Sequence, residues 1–136
     1  MADIRTLPVT AELIDYVVDH GSWPVDEVLA DLRAETLALG AAAGMQIGAD
    51  QGQLLTLLTR IAGARRAVEV GTFTGYSSLC IARGLADDGR LLCCDVSEEW
   101  TALARRAWDR AGLADRIELR LAPALETLRA LPTDVP

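Results

Sequence analysis

Short apolar runs that alternate with amphipathic stretches constrain the fold of this 136-residue chain more than any other feature. After residue 65, the runs AVEV, RLLCCDV and IELRL have the length of buried strands, and a stretch with helical period follows each of them. Strands that alternate with helices are typical of a parallel sheet, because parallel neighbours need a crossover connection. Right-handed crossovers give the strand order 3-2-1 and leave the first strand at an open, apolar edge. Such an edge normally has a neighbour, so the sequence predicts half of a larger α/β domain or a sheet that a partner completes.

Helical periodicity dominates the residues before the first strand. Thr10 is predicted to cap a helix over residues 11–20, and a second helix is predicted within residues 22–40. Asp50 is predicted to cap a third helix, which is rich in leucine and ends at Gly63. Between the second and third helices, GAAAGMQIGADQ is predicted to be a loop whose small residues let its backbone lie close to another group.

These elements divide the chain into two parts of one incomplete domain, which we expect to extend over residues 1–136. Residues 1–64 would supply the N-terminal helices and the small-residue loop. Residues 65–136 would supply the first half of the sheet with its helices.

Composition argues against several partners and locations. The net charge is −7 and the arginines are scattered among acids, so a nucleic-acid partner is not expected. No apolar run approaches the ~20 residues of a membrane span, and the N-terminus lacks the pattern of a signal peptide. The three cysteines form no CxxC pair and are predicted to be reduced core residues. A cytoplasmic protein that does not bind membranes is therefore expected.

The segment VEVGTFTGYSS, residues 68–78, predicts a strand, a glycine turn and the start of a helix. This arrangement is a general nucleotide-binding device, because a helix N-terminus offers unpaired N–H groups. A P-loop would need a lysine, which the chain lacks, and a dinucleotide fingerprint would need glycines where Phe73 and Tyr76 stand. Glu69 would repel a phosphate at the end of the strand. The segment therefore favours a ligand with a cationic end.

S-adenosylmethionine has the chemical groups that such a site requires. Its ammonium and sulfonium suit Glu69, and its carboxylate suits the helix N-terminus and the hydroxyl of Ser77. Its ribose diol needs a carboxylate at the end of the next strand, and Asp95 ends RLLCCD. A capping role for Asp95 is the alternative, although Ser97 already suits that position.

Other roles remain open for some of these residues. Glu69 could instead be solvated or paired with Arg65 or Arg66, and core packing is the favoured role of Phe73 and Tyr76. The coincidence of the acid, the glycine spacing and the acid of the second strand favours one common ligand.

Four segments together resemble a known protein family. GMQIGADQGQLL, VEVGTFTGYSSL, DDGRLLCCDV and LAPALETL stand in the order and at the spacing found in cation-dependent O-methyltransferases of the catechol type. That family includes the caffeoyl-coenzyme A group and bacterial relatives. The resemblance runs from about Thr10 to the last residue, and GTFTGYS is its most specific part. It implies a Rossmann-like, S-adenosylmethionine-dependent methyltransferase fold that is truncated after the third strand and its helix.

The resemblance also implies which residues bind the cofactor. Met45 and Ile47 would contact its methionine end through their backbone, and the backbone of Ala124 would border the adenine. The full predicted cofactor-binding set is Met45, Ile47, Glu69, Gly71, Thr72, Tyr76, Ser77, Asp95, Val96 and Ala124.

Members of this family transfer a methyl group to a hydroxyl of a catechol-like small molecule, with a divalent cation, usually magnesium, holding both oxygens. The resemblance implies that the first metal-ligating acid would lie just after Pro136, so no catalytic or metal-binding residue is assigned here. The parent enzyme would be a homodimer that uses magnesium, and this part alone would not turn over. The alternatives are a non-catalytic cofactor-binding or dimerising module and an NAD- or flavin-binding half domain.

Overall fold

The computed structural model describes residues 8–20 and 26–132. Helices and strands alternate after the N-terminal helices, as predicted. The elements are α1 (Ala11–His20), α2 (Glu27–Leu37), a 3-10 segment (Gly40–Met45), α3 (Ala49–Ile61), β1 (Arg66–Val70), α4 (Tyr76–Gly84), β2 (Arg90–Asp95), α5 (Glu98–Arg110), a 3-10 turn (Ala114–Arg116), β3 (Ile117–Leu121) and α6 (Ala124–Arg129).

The three strands form one parallel sheet with β2 at its centre. The order β1-β2-β3 is the predicted order 3-2-1 counted from the opposite edge. Val68 pairs with Leu92, and Val70 pairs with Cys94. Val68 and Val70 are 47% and 61% exposed. Within the described ranges β1 pairs only with β2, so the prediction of an open, apolar edge at β1 is confirmed.

The hydrophobic core lies where the sheet meets the helices. Side chains of β2 such as Leu91 and Cys93 pack with Leu79 of α4, and the same cluster includes residues of α5 and α2. All three cysteines are buried and free, as predicted. Because consecutive side chains of a strand alternate between its faces, Leu91 and Cys93 share the face that this cluster covers.

Two of the predicted helix starts can be compared with the structure. The side chain of Thr10 accepts the N–H of Leu13 at 3.2 Å, which confirms the cap of α1. Asp50 does not cap α3, because the N-cap is Gly48 and Asp50 lies in the first turn. Gly48 adopts an extended conformation, and a Cβ there would lie 2.4 Å from Asp50 Oδ1, so glycine leaves room for the carboxylate.

The second helix and the following loop also differ from prediction. The predicted start of α2 falls partly on residues 21–25, outside the described residues, and the observed cap is Asp26, which accepts the N–H of Leu29 at 3.0 Å. The helix ends at Leu37 rather than near Gly40. The predicted loop begins as the 3-10 segment Gly40–Met45, because its run of alanines favours helical backbone.

Candidate cofactor site

The turn between β1 and α4 carries the glycine motif. The N–H of Gly71 donates to the carbonyl of Cys94 at 2.9 Å, and the N–H of Gly75 donates to the carbonyl of Thr72 at 3.0 Å. Gly71 and Gly75 have φ angles of 84° and 92°, and Phe73 has a φ of 51°. The left-handed region costs a residue with a Cβ about 1–2 kcal/mol, so the position of Phe73 must be enforced by its surroundings.

The carboxylate of Asp95 ties this turn to the end of β2. Its Oδ2 accepts the N–H groups of Thr72 and Phe73, both at 2.8 Å. Its Oδ1 accepts the N–H groups of Val96 at 2.7 Å and Ser97 at 2.8 Å. Two amide donors of the turn that a bound phosphate could use are therefore satisfied by a protein anion. This arrangement favours neither of the dinucleotide cofactors, NAD and flavin.

Ser97 caps α5, as the sequence predicts. Its side chain accepts the N–H of Trp100 at 3.2 Å. Asp95 is therefore not the N-cap of α5, and its carboxylate instead accepts the N–H groups of the two residues between β2 and that helix.

Glu69 lies at the end of β1 and points inward, where it is only 8% exposed. The hydroxyl of Ser77 donates to its Oε1 at 2.6 Å, and the thiol of Cys93 donates to its Oε2 at 3.5 Å. Burial raises the pKa of this carboxyl, and its hydrogen bonds oppose that effect only in part. Arg65 pairs with Asp88 instead. A buried acid that pairs with no arginine in the described part of the chain is the kind of group that a cationic ligand would stabilise in its charged form.

A hollow of about 70 Å³ opens beside the turn. One wall comes from the loop after α2 and the other from the turn and the first residues of α4. Its lining residues are Met45, Gln46, Ile47, Gly71, Thr72, Phe73, Thr74, Tyr76 and Ser77. The hollow is much smaller than the ~300–1,000 Å³ of a complete small-molecule site, so it can hold only part of a cofactor.

A larger hollow of about 690 Å³ lies elsewhere, at the start of the strands. Arg66 and Arg90, the first residues of β1 and β2, line it together with Leu131. Open parallel sheets bind ligands outside the carboxyl ends of their strands, so we assign the cofactor to the smaller hollow despite its size.

The structure places most of the predicted cofactor-binding residues around this turn. Tyr76 lines the hollow but is buried in the core, which agrees with the packing role that the sequence favours. Val96 is 74% exposed, and only its N–H is engaged, with Asp95. Ala124 begins α6, and nearby Ala122 donates its N–H to the carbonyl of Asp95 at 3.0 Å.

Three residues that line the hollow are absent from the predicted set: Gln46, Phe73 and Thr74. Oε1 of Gln46 is buried and has no hydrogen-bond partner among the described residues. Thr74 is almost fully buried and bonds to Thr36 of α2. Their positions inside GMQIG and GTFTG were visible in the sequence, but their burial was not.

The described residues do not fit the divalent cation that the resemblance implies. Across residues 8–20 and 26–132, no group of three or more histidine, cysteine, aspartate or glutamate side chains could hold a metal ion. In the same part of the chain, no helix is long and apolar enough to cross a membrane.

Comparison with known proteins agrees with this geometry. Residues 19–136 match the family described as O-methyltransferase. A caffeoyl-CoA O-methyltransferase 2 of Petunia hybrida is 37% identical over 131 residues, which are 96% of this chain and 54% of the relative. The catechol O-methyltransferase domain-containing protein 1 of Mus musculus is 45% identical over 82 residues, which are 60% of this chain and 31% of the relative.

Solved structures give the same assignment. An O-methyltransferase of Bacillus cereus in complex with SAH superposes with a TM-score of 0.78 at 37% identity, over 85% of this chain and 51% of that one. TomG of Streptomyces achromogenes, an O-methyltransferase in complex with SAM, gives 0.80 at 33% identity, over 90% of this chain and 56% of that one. The fold and the glycine turn are therefore those of the Rossmann-like methyltransferases. The chain belongs to the O-methyltransferase family, and it spans about half the length of the relatives that it matches.

Proposed function

We propose that this chain is the cofactor-binding half of an S-adenosylmethionine-dependent O-methyltransferase. The observation that carries the proposal is the buried, hydrogen-bonded Glu69 directly behind a hollow that Ser77 lines. A cationic amino-acid end suits this acid, and two related solved structures hold SAH or SAM. When bound, S-adenosylmethionine supplies an electrophilic methyl group on its sulfonium.

Different residues of the chain would contact different parts of the cofactor. Glu69 would receive the ammonium, the backbone of Met45 and Ile47 would border the methionine end, and Ala124 would border the adenine. Ser77 now donates its only proton to Glu69, so it can serve the cofactor's carboxylate only after its hydroxyl turns away.

Asp95 would hold the ribose diol, but its carboxylate already has four amide donors. A carboxylate offers about four lone-pair sites, so the diol must share or replace some of these bonds. The Oδ1 side is the better candidate for this exchange, because Val96 beside it is exposed. Replacing Asp95 would disturb the turn as well as the ribose contact, so the ligand should be varied instead.

Titration calorimetry with the full chain tests the cofactor. We expect S-adenosylhomocysteine to bind with one site and NAD to bind far more weakly. An S-adenosylhomocysteine analogue that lacks both ribose hydroxyls should bind roughly tenfold or more weakly, because it loses charge-assisted hydrogen bonds. Binding of NAD without binding of S-adenosylhomocysteine would overturn the assignment. Equal affinity for the analogue would remove Asp95 from the ribose site.

The acceptor and the metal belong to the proposal for the whole enzyme. We infer methyl transfer to a hydroxyl of a catechol-like small molecule, with magnesium bound by residues outside this chain. Purified chain mixed with a catechol, magnesium and S-adenosylmethionine should therefore show no turnover. Clear methyl transfer would contradict this division of the enzyme.

The exposed edge of β1 favours a second candidate, a non-catalytic module that binds a partner through this edge. Two copies could pair their β1 strands in a homodimer, because Val68 and Val70 leave that edge apolar and exposed. Light scattering coupled to gel filtration would test it, since a stable monomer excludes edge pairing between copies. The three buried free thiols favour a cytoplasmic location, and no nucleic-acid partner is proposed.

A further inference from the structure

The glycine turn is held in a strained shape by contacts from different elements. Phe73 has a φ of 51°, which is costly for a residue with a Cβ. Its N–H is fixed by Asp95 at the end of β2, and its ring packs edge-to-face on Trp100 of α5 with centroids 5.1 Å apart. Strained conformations persist only where the surroundings over-determine them. The next residue, Thr74, has a partner on another element.

That partner is Thr36 of α2. The hydroxyls of Thr36 and Thr74 are 2.8 Å apart, and the Thr36 hydroxyl also reaches the carbonyl of Leu32 at 2.7 Å. Both threonines are 1% exposed. A hydrogen bond between buried hydroxyls cannot be replaced by water, so breaking it leaves a polar group unsatisfied.

The helix that carries Thr36 is itself firmly attached. Leu29 and Leu32 of α2 are buried in the core. Glu35 forms ion pairs with Arg106 at 3.1 Å and Arg110 at 2.9 Å, both on α5. The chain then continues into the segment that brings Met45, Gln46 and Ile47 to the hollow. The helix α2 therefore contacts one wall of the hollow through Thr36 and leads directly into the other.

We propose that Thr36 is a positioning residue of the cofactor site, which holds the glycine turn in its binding shape through Thr74. Only the effect on cofactor affinity rests on the proposed function. The effect on the turn itself can be measured without any ligand.

The first test measures amide hydrogen exchange by NMR on the full, ligand-free chain. The amides of Gly71, Thr72, Phe73 and Gly75 are all hydrogen-bonded and report on the turn. Thr36→Val keeps the shape and removes the hydroxyl, and these four amides should then exchange roughly three- to tenfold faster, beyond any change in global stability. Thr36→Ser retains the hydroxyl and should restore slow exchange.

The matched control is Thr56→Val. Thr56 is also a buried helical threonine, and its hydroxyl joins α3 to α4 through the carbonyl of Cys80 at 2.8 Å, away from the turn. This variant should leave the four turn amides unchanged relative to global stability. Equal effects of Thr36→Val and Thr56→Val on the turn, or none from Thr36→Val, would overturn the inference. Should Thr36→Val not fold, Thr74→Val removes the same bond from the other side and should give the same pattern.

The second test is the affinity for S-adenosylhomocysteine. Thr36→Val should weaken it roughly three- to tenfold, Thr36→Ser should not, and neither should Thr56→Val. Loosened turn amides with unchanged affinity would overturn the role in the site. If the unmodified chain binds no S-adenosylhomocysteine, the proposed function fails, whereas the exchange comparison still decides whether Thr36 holds the turn.

Discussion

Replacing Gly75 by alanine tests how closely the glycine turn packs against α5. Gly75 has a φ of 92°, so a side chain there is strained by about 1–2 kcal/mol. An added Cβ would also lie 2.6 Å from the Cβ and 2.9 Å from the Cα of Ala104. Both atoms belong to a buried helix and cannot move independently, and overpacking of this kind costs about 1–3 kcal/mol. Gly75→Ala should therefore lower the free energy of unfolding by about 2–5 kcal/mol.

A matched variant separates strain from overpacking. Gly112 also has a positive φ, 66°, but nothing lies within 4 Å of the Cβ that alanine would add. Gly112→Ala should cost only the ~1–2 kcal/mol of left-handed strain. Urea denaturation followed by circular dichroism measures both costs. Equal dependence of the unfolding free energy on urea concentration in the two variants would show that their unfolded states are comparable. Combining Gly75→Ala with Ala104→Gly should recover part of the loss, because the closest contact disappears. An equal cost for Gly75→Ala and Gly112→Ala would refute the packing argument.

Further predictions concern the titratable groups near the turn. Glu69→Gln should stabilise the fold at pH 7, because burial raises the pKa of the Glu69 carboxyl and penalises its charged form. The advantage should shrink as the pH falls through that raised pKa. Thermal melts at several pH values measure it, and a difference in Tm between the variant and the unmodified chain that does not change with pH would contradict the prediction. Asp95→Asn should destabilise the ligand-free chain by about 1–3 kcal/mol in urea titrations, because an NH₂ group replaces an oxygen that accepts two N–H groups. The control Asp88→Asn, at an exposed ion pair, should change stability little. Burial raises the pKa of Cys80 to about 11, so iodoacetamide at pH 8 should label it only after unfolding, and rapid labelling of the folded chain would show that it is accessible.

Local signals in the sequence were sufficient for the elements near the site. Thr10 and Ser97 cap the helices that they were predicted to cap, because capping depends on a few neighbouring residues. The alternation of strands and helices gave the parallel order, since right-handed crossovers leave few choices. Asp50 was the exception, because Gly48 begins the helix earlier and the acid lies in its first turn.

The partners of the site residues required the tertiary structure. The sequence suggested an arginine as one possible partner for Glu69, but the inward direction of its side chain brings it to Ser77 and Cys93. The sequence predicted a ribose contact for Asp95 and did not indicate that the parallel pairing of β1 and β2 also brings its carboxylate to two amides of the turn. Such contacts join residues on separate elements, and no periodicity within either element encodes them.

By itself, the sequence determined the family, the order of the elements and the position of the glycine turn, because these depend on motif spacing and on periodicity along the chain. Only the tertiary structure decided what holds that turn. Thr36 and Thr74 meet because α2 packs against α4 and α5, and the sequence of neither segment indicates the other. The strain at Phe73 is likewise a property of the packed turn, since a residue accepts a left-handed backbone only where distant contacts enforce it.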